Sequence, residues 1–523
     1  MFSGPDLICL YGPPGSGKSS VGRALAARLG LPFWDLDEEI QARSKMSIPE
    51  IFSREGERGF RQRERKVLLD LTSRGEGVLA LGGGALLNPA NRKRVEAVGL
   101  VLCLHAPIDR LLERLGAQGD SRPLLSGDVR ARLESLLSNR ADHYRLFPLA
   151  LDTDQPLERI VRDAQVRLGS YHVRGMGSGY DVRVQEKGLD GIGEMLLKRG
   201  LGSPVIVVTD ENVGQLYSQR VLASLQSAKY SAQAISIPSG EQHKTLATVA
   251  SLWDGFLATG IERNSTVIAL GGGVVGDLAG FAAATILRGV PWVALPTSLL
   301  AMVDASLGGK TGFDLSQGKN LVGTFHPPRL VLADPFTLKT LPQAELRAGM
   351  AEVVKAGLIG DAQLFDLCGR GWEAVEREIG EMVRRSMAVK ISVIEDDPYE
   401  KGRRAALNLG HTVGHAVELV SGFKLRHGEA IAIGLVAEAR LAERVGIADQ
   451  GLASEIENVL RQLGLPVEVP LQMDLGAIWQ AMQVDKKRLD GKVRFALPVR
   501  PGEVRVGVEV EHDTYTGFTR SQS

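Results

Sequence analysis

Leu7-Ile-Cys-Leu-Tyr11-Gly12-Pro-Pro-Gly15-Ser16-Gly17-Lys18-Ser19 runs five apolar residues into a glycine-rich loop that ends in Lys-Ser at the start of an amphipathic stretch. Strand, loop and helix in that order form the context in which such a loop binds phosphate. Its backbone N–H groups cradle the anion, and the helix N-terminus adds about half a positive charge. Gly15, Ser16, Gly17, Lys18, Ser19 and Ser20 are therefore the candidate ATP contacts. Lys18 reaches the β- and γ-phosphates in this reading, and Ser19 ligates Mg2+. Downstream, Phe33–Leu36, Val78–Ala80 and Leu100–Leu104 read as further strands separated by helical patterns. Alternation of that kind predicts a parallel sheet with crossover helices.

A second, chemically different signature begins at Gly271-Gly-Gly273-Val274-Val275-Gly276-Asp277 and continues through Gly308-Gly-Lys310 and Gly318-Lys319-Asn320. One fold rarely needs both, so the chain reads as two enzymes fused. Residues 1–168 make the first, 169–179 a glycine-dense linker, 180–325 an α/β nucleotide domain and 326–523 a helical domain. Within the second enzyme Val205–Thr209, Ala234–Ile237, Val267–Leu270 and Trp292–Leu295 are strand-like. Ala344–Gly357, Ala430–Val445 and Leu452–Leu463 are helical.

At 523 residues, with 44% apolar and 24% charged content, the chain is long enough for about three domains. The formal net charge of zero favours neither nucleic acid nor an anionic membrane as partner. Cys9, Cys103 and Cys368 are scattered and read as buried small hydrophobes in a reducing compartment. The longest uncharged apolar run, Gly289 to Val303, falls short of the ~20 residues a spanning helix needs. With Asp6 near the start and no basic segment there, a signal peptide is not expected, and the expectation is a cytoplasmic protein.

The acid/histidine set carries the chemistry of the second half. His411 and His415 stand at i and i+4, on one helical face, and spacing alone makes them joint metal ligands. Glu352 and His427 add two ligand-capable groups. Two or three nitrogens and a carboxylate, with one position open, suit a catalytic zinc.

In the first half, Asp35-Leu-Asp37, Gly59-Phe-Arg61, Gly82-Gly83-Gly84, Asp120-Ser-Arg122-Pro and Asn139-Arg140-Ala-Asp-His-Tyr144 together resemble shikimate kinase across residues 1–168. The resemblance implies that Asp37, Arg61, Gly83 and Arg140 hold shikimate, with Asp37 accepting the hydroxyl proton. It also implies that Arg122, on a lid around Gln118–Leu125, contacts the transferring phosphates, and that Asp35 lies near Mg2+. Ser20 departs from the threonine common in that family.

The order of motifs over about residues 175–500 resembles 3-dehydroquinate synthase. That resemblance assigns Glu352, His411 and His427 to Zn2+ or Co2+ and turns His415 toward the substrate, 3-deoxy-arabino-heptulosonate 7-phosphate. For this anion it implies Arg288, Lys310, Lys319, Lys355, Lys390, Arg404 and Lys486 or Lys487, with Asn320, Asn408 and Asp304. NAD+ would be held by Asp210, Asn212, Ser239, Gly240, Glu241, Gln242, His243, Lys244, Gly273–Asp277, Thr297 and Ser298. Lys310, Lys319 and the segment Thr337-Leu338-Lys339-Thr340 would join them. Lys18, Arg122, Asp37, Asp304, Lys310, Lys355 and His415 are the implied catalytic groups. A homodimer through the synthase half is the implied assembly. The competing reading pairs another small-molecule kinase with a metal-dependent polyol dehydrogenase, whose neutral substrate would not need Lys310, Lys319 and Lys355.

Overall fold

The computed structural model describes residues 7–116, 128–400, 402–486 and 493–510, with nothing to say of the side chains of 484–486. The chain divides into two compact units, Met1–His172 and Val173–Ser523.

In the first unit β1 (Leu7–Tyr11) is the middle strand of a parallel sheet with β2 (Phe33–Asp35), β3 (Gly77–Ala80), β4 (Gly99–His105) and β5 (Leu149–Asp152). The order is β2-β3-β1-β4-β5. All five residues of β1 are buried, because side chains alternate across a sheet covered on both faces. Leu7, Cys9 and Tyr11 pack with Leu36, Ile51, Phe60 and Leu68 on one side. Ile8 and Leu10 pack with Val21, Leu25 and Ala26 on the other. The parallel arrangement brings the loops after β1, β2 and β3 to one edge, where ligands bind in such sheets.

The 169–179 stretch differs from the patternless linker expected. It contains a strand, β6 (Ser170–Val173), and the division between the units falls inside that strand.

The second unit holds a parallel sheet in which β7 (Tyr180–Val184), β8 (Gly202–Asp210), β9 (Ala232–Ile237), β10 (Ser265–Gly271) and β11 (Trp292–Pro296) are joined by β14 (Leu330–Ala333). Between β11 and β14 the chain makes a hairpin, β12 (Lys310–Leu315) with β13 (Gly318–Phe325). The sheet order β6-β7-β14-β11-β10-β8-β9 places β14 inside the sheet, so the α/β part runs past the boundary expected at 325. From β8 the chain moves outward to β9, whereas from β10 it moves the other way to β11. This reversal opens a crevice at the carboxyl ends of β8 and β10.

Beyond β14 the unit is mainly helical, as expected. Gln343–Gly360, Trp372–Asp396, His411–Val420 and His427–Arg444 are its central helices. A hairpin of β15 (Arg494–Arg500) and β16 (Glu503–Glu509) departs from an all-helical domain. Two glycines let the helices meet backbone to backbone. A β-carbon on Gly428 would lie 1.9 Å from the Ala348 carbonyl oxygen, and one on Gly434 would lie 1.9 Å from that of Gly410. These contacts press the His427 helix onto those that carry Glu352 and His411. No described helix is long and apolar enough to cross a membrane, and all three cysteines are buried and free.

Candidate active sites

In the first unit the loop after β1 closes on itself. Lys18 Nζ donates to the carbonyl oxygens of Gly12 and Pro13, each at 2.9 Å. The Ser16 hydroxyl is buried without a partner among the described residues. Ser19 Oγ donates to Asp35 Oδ2 at 2.6 Å, while Asp35 caps the next helix by accepting from the Asp37 and Glu38 amides. Ser19, Ser20, Asp35, Asp37 and Gly83 all line one cleft with the loop.

Groups far apart in sequence converge on Gly82-Gly83-Gly84. The Asp37 carboxylate lies where a β-carbon on Gly82 would meet it at 3.1 Å, and the Arg61 guanidinium stands against Gly84 in the same way at 2.8 Å. Arg140 Nη1 donates to Gly83 O at 2.8 Å. An alkyl-free loop with two guanidiniums and a carboxylate around it suits a small polyhydroxy carboxylate. Arg122 lies outside the described residues.

Two groups here escaped the sequence reading. Glu64, buried, takes Arg61 Nη1 on both carboxylate oxygens at 2.9 Å. Burial pushes its carboxyl up, with Arg61 pulling the other way. Its signal was the i,i+3 spacing from Arg61. Tyr11, at the end of an apolar strand, donates to Gly83 O at 3.3 Å and meets His143 Nε2 at 3.0 Å.

In the second unit Glu352 is buried, and its Oε1 has no hydrogen-bond donor among the described residues. It faces His411 Nε2 at 3.6 Å and His427 Nε2 at 3.7 Å. The other nitrogen of each ring is committed. His411 Nδ1 meets the Leu409 carbonyl oxygen at 3.1 Å, and His427 Nδ1 meets Glu418 Oε2 at 3.3 Å. Both acceptors require N–H there, so in the neutral rings both Nε2 atoms turn a lone pair toward the carboxylate oxygen. Donors about 2.0–2.2 Å from one tetrahedral ion lie about 3.3–3.6 Å apart, and this set fits such an ion. Burial, then the Lys355 ammonium, push His411 down to about 3. His427 is raised to about 9, because Glu352 and Glu418 outweigh its burial.

His415 belongs to the same cluster, with ligand-capable atoms of all three histidines within 4.8 Å of one another, but it is exposed. Both the i,i+4 pair and the Glu352/His411/His427 set are thus brought together. Glu438, fully buried, accepts from the Gly410 and Val413 amides and so fixes the start of the His411 helix.

Cations ring this centre. Lys355 pairs with Glu352 and donates to Leu407 O at 3.0 Å. Lys390 pairs with Asp304 and holds its carboxyl low against the effect of burial. Lys319 Nζ donates to Glu418 Oε1 at 3.0 Å and lies 3.9 Å from Glu241. Lys244 joins Asp277 at 2.7 Å and Asn320 Oδ1 at 2.5 Å, tying candidate cofactor and substrate groups into one node. Arg404 is buried against Gly308, and Lys310 and Arg404 share Glu400. Arg288 and Asn408 are exposed, and Arg288 makes no hydrogen bond or ion pair among the described residues. The Lys486 side chain and Lys487 lie outside the description.

The cofactor candidates gather at the carboxyl strand ends. Asp210 closes β8 and caps the following helix through the Asn212 and Val213 amides. Gly271–Gly273 lead from β10 into a helix with no side-chain cap, and Thr297 N donates to Gly271 O. Gly276, Asp277 and Lys310 share one cleft with Ala301 and Ala305, which flank Asp304. Ser239–His243 form an adjacent turn. Thr337–Thr340 sit in another, with the Tyr217 hydroxyl 2.6 Å from Thr340 Oγ1.

Comparison with known proteins follows these two units. The shikimate kinase family matches residues 14–166. The 3-dehydroquinate synthase N-terminal and C-terminal families match 234–348 and 349–488. A 3-dehydroquinate synthase of a Synechococcus species is 45% identical over 346 residues, 64% of this chain and 94% of that protein. A 2-epi-5-epi-valiolone synthase from Streptomyces hygroscopicus subsp. jinggangensis, solved with NAD+ and Zn2+ bound, is 30% identical with a TM-score of 0.60, over 65% of this chain and 95% of its own. A 2-deoxy-scyllo-inosose synthase complexed with carbaglucose-6-phosphate, NAD+ and Co2+ is 28% identical with a TM-score of 0.61, over 67% and 99%.

Proposed function

The chain belongs to the 3-dehydroquinate synthase family and carries a shikimate kinase ahead of the synthase, and from that premise we propose which side chains run each reaction. The kinase transfers the γ-phosphoryl group of ATP to shikimate. The synthase converts 3-deoxy-D-arabino-heptulosonate 7-phosphate to 3-dehydroquinate and phosphate. Both belong to the shikimate pathway.

In the kinase, Lys18 exchanges its two carbonyl partners for the β- and γ-phosphates, and Ser19 with Asp35 holds Mg2+. Arg61 and Arg140 grip the shikimate carboxylate, and Asp37 takes the proton of the attacking hydroxyl. The convergence of Asp37, Arg61 and Arg140 on Gly82–Gly84 carries this reading. Asp37→Asn should abolish shikimate phosphorylation while ATP still binds. Unchanged turnover would remove Asp37 from the role of base.

In the synthase, Glu352, His411 and His427 hold the metal, and the residues at the ends of β8, β10 and β11 hold NAD+. When bound, NAD+ accepts and returns a hydride and the metal acidifies a substrate alcohol. Lys355, Lys390, Lys319 and Arg404 bind and orient the anionic substrate, and Asp304 keeps Lys390 charged beside it. Exposed His415 faces the substrate rather than the metal. Glu352 Oε1, without a hydrogen bond among the described residues and facing the Nε2 atoms of both rings, carries this assignment. Metal analysis tests it. His411→Ala and His427→Ala should copurify with substoichiometric metal, whereas His415→Ala keeps its metal and turns over slowly. If His415→Ala loses metal and His427→Ala keeps it, the i,i+4 pair is the ligand set.

A homodimer through the synthase half is proposed from the hairpin β12–β13, which exposes Leu315, Leu321 and Phe325. Sedimentation of the whole chain as a monomer would refute it. A cytoplasmic location is proposed on the ground that both reactions draw on ATP or NAD+.

A further inference from the structure

We propose that Glu418 is a positioning residue that sets the metal affinity of the synthase through His427 and ties that ligand to Lys319. The inference rests on the metal assignment above and goes beyond it. Glu418 lies in the helix His411–Val420, three residues after His415 and seven after His411, and is buried. Its two carboxylate oxygens have separate tasks. Oε2 accepts from His427 Nδ1 at 3.3 Å, across to the neighbouring helix, and Oε1 accepts from Lys319 Nζ at 3.0 Å, on the β12–β13 hairpin. The centre of the Phe423 ring lies 4.6 Å from Lys319 Nζ, a cation–π contact that holds the ammonium from its other side.

A carboxylate can only accept, so it admits a single neutral tautomer of His427, with the proton on Nδ1 and the lone pair on Nε2. That lone pair faces Glu352 Oε1. A carboxylate on the far nitrogen fixes the ring's orientation and raises its basicity as a ligand, and loss of such a partner typically weakens metal binding by about 10–100-fold. His411 has only the Leu409 carbonyl oxygen in the equivalent place, so the charged support falls on His427 alone. Because Lys319 competes for the same carboxylate, a substrate anion that draws Lys319 away leaves Glu418 wholly to His427.

The test is a Co2+ titration of the full chain, following ligand-field absorption and competition with a chelator. Glu418→Gln should still bind one metal at saturation with the parent's spectrum, but with about 10–100-fold lower affinity. Glu418→Asp, which keeps the charge on a shorter arm, should fall between the two and guards against misfolding of the amide variant. Lys319→Met, which removes the other partner, should bind at least as tightly as the parent. Parent-like affinity in Glu418→Gln overturns the proposal. So does an equal loss in Lys319→Met, since the intact ion pair rather than the contact to His427 would then set the affinity. Parent-like affinity in His427→Ala overturns the metal assignment itself, and is distinguishable because Glu418 need not be altered to see it.

Discussion

A β-carbon on Gly428 would stand 1.9 Å from the carbonyl oxygen of Ala348, well inside any real contact. The helix that starts at His427 therefore touches the Glu352 helix through bare backbone, one residue from a proposed ligand. Gly428→Ala must push the helices apart, and overpacking of this kind costs about 1–3 kcal/mol, occasionally more. The expected outcome is a lower melting temperature for the synthase transition and weakened metal binding, with shikimate kinase activity unchanged. Parent-like metal affinity in this variant would show that the close approach does not hold the site together.

Lys18→Ala should remove shikimate phosphorylation, by at least the ~10²–10³-fold that one charge-stabilising contact typically supplies. Phosphate release from the heptulosonate substrate should be unaltered. A coupled assay of each reaction on the same preparation checks this. Equal loss of both would mean that the variant misfolds or that the two sites are coupled.

Much of this architecture is legible in the sequence. The bounds of β1 were read correctly because five apolar residues run directly into the glycine loop, and nothing polar competes for that assignment. The phosphate loop and the histidine cluster announced themselves by residue type. Short elements did not. Leu330–Ala333 is only four residues and gains its strand identity from the sheet on either side. Gly318–Phe325 is glycine- and lysine-bearing and largely exposed. Partners were harder still, since Glu64 and Glu418 look like ordinary surface carboxylates until burial and a cation or imidazole give them a task. Helical spacing from Arg61 and from His411 was the available signal for each.

The pair of half-buried Arg61 and buried Glu64 makes a pH-dependent prediction. Burial raises the Glu64 carboxyl above the ordinary glutamate value of 4.5, and Arg61 pulls it down. A carboxyl whose folded value is raised contributes stability below 4.5 and loses it as pH rises through the folded value. In Arg61→Met the opposing charge is gone, so the loss extends over a wider span and costs up to about 3 kcal/mol at neutral pH. The melting temperature of the transition that ATP raises should therefore fall more steeply with pH than in the parent, from 4.5 upward. Adding Glu64→Gln should flatten the curve. A parallel pair of curves for Arg61→Met and parent would contradict it.

The last prediction concerns where the two enzymes can be parted. The expected linker contains the strand Ser170–Val173, and the compact units divide between His172 and Val173. A second fragment that starts at 172 would cut through that strand and leave half of it behind. Fragments 1–168 and 170–523, by contrast, keep every strand whole, and each retains its own core. We expect the first to phosphorylate shikimate and the second to release phosphate from the heptulosonate, each at close to the rate of the intact chain. A fragment that starts at 174, lacking Ser170–Val173 altogether, should be less stable than 170–523 if the strand belongs to the synthase unit. Loss of both activities on cutting at 168/170 would mean that the halves depend on each other to fold, and the proposed boundary would be wrong.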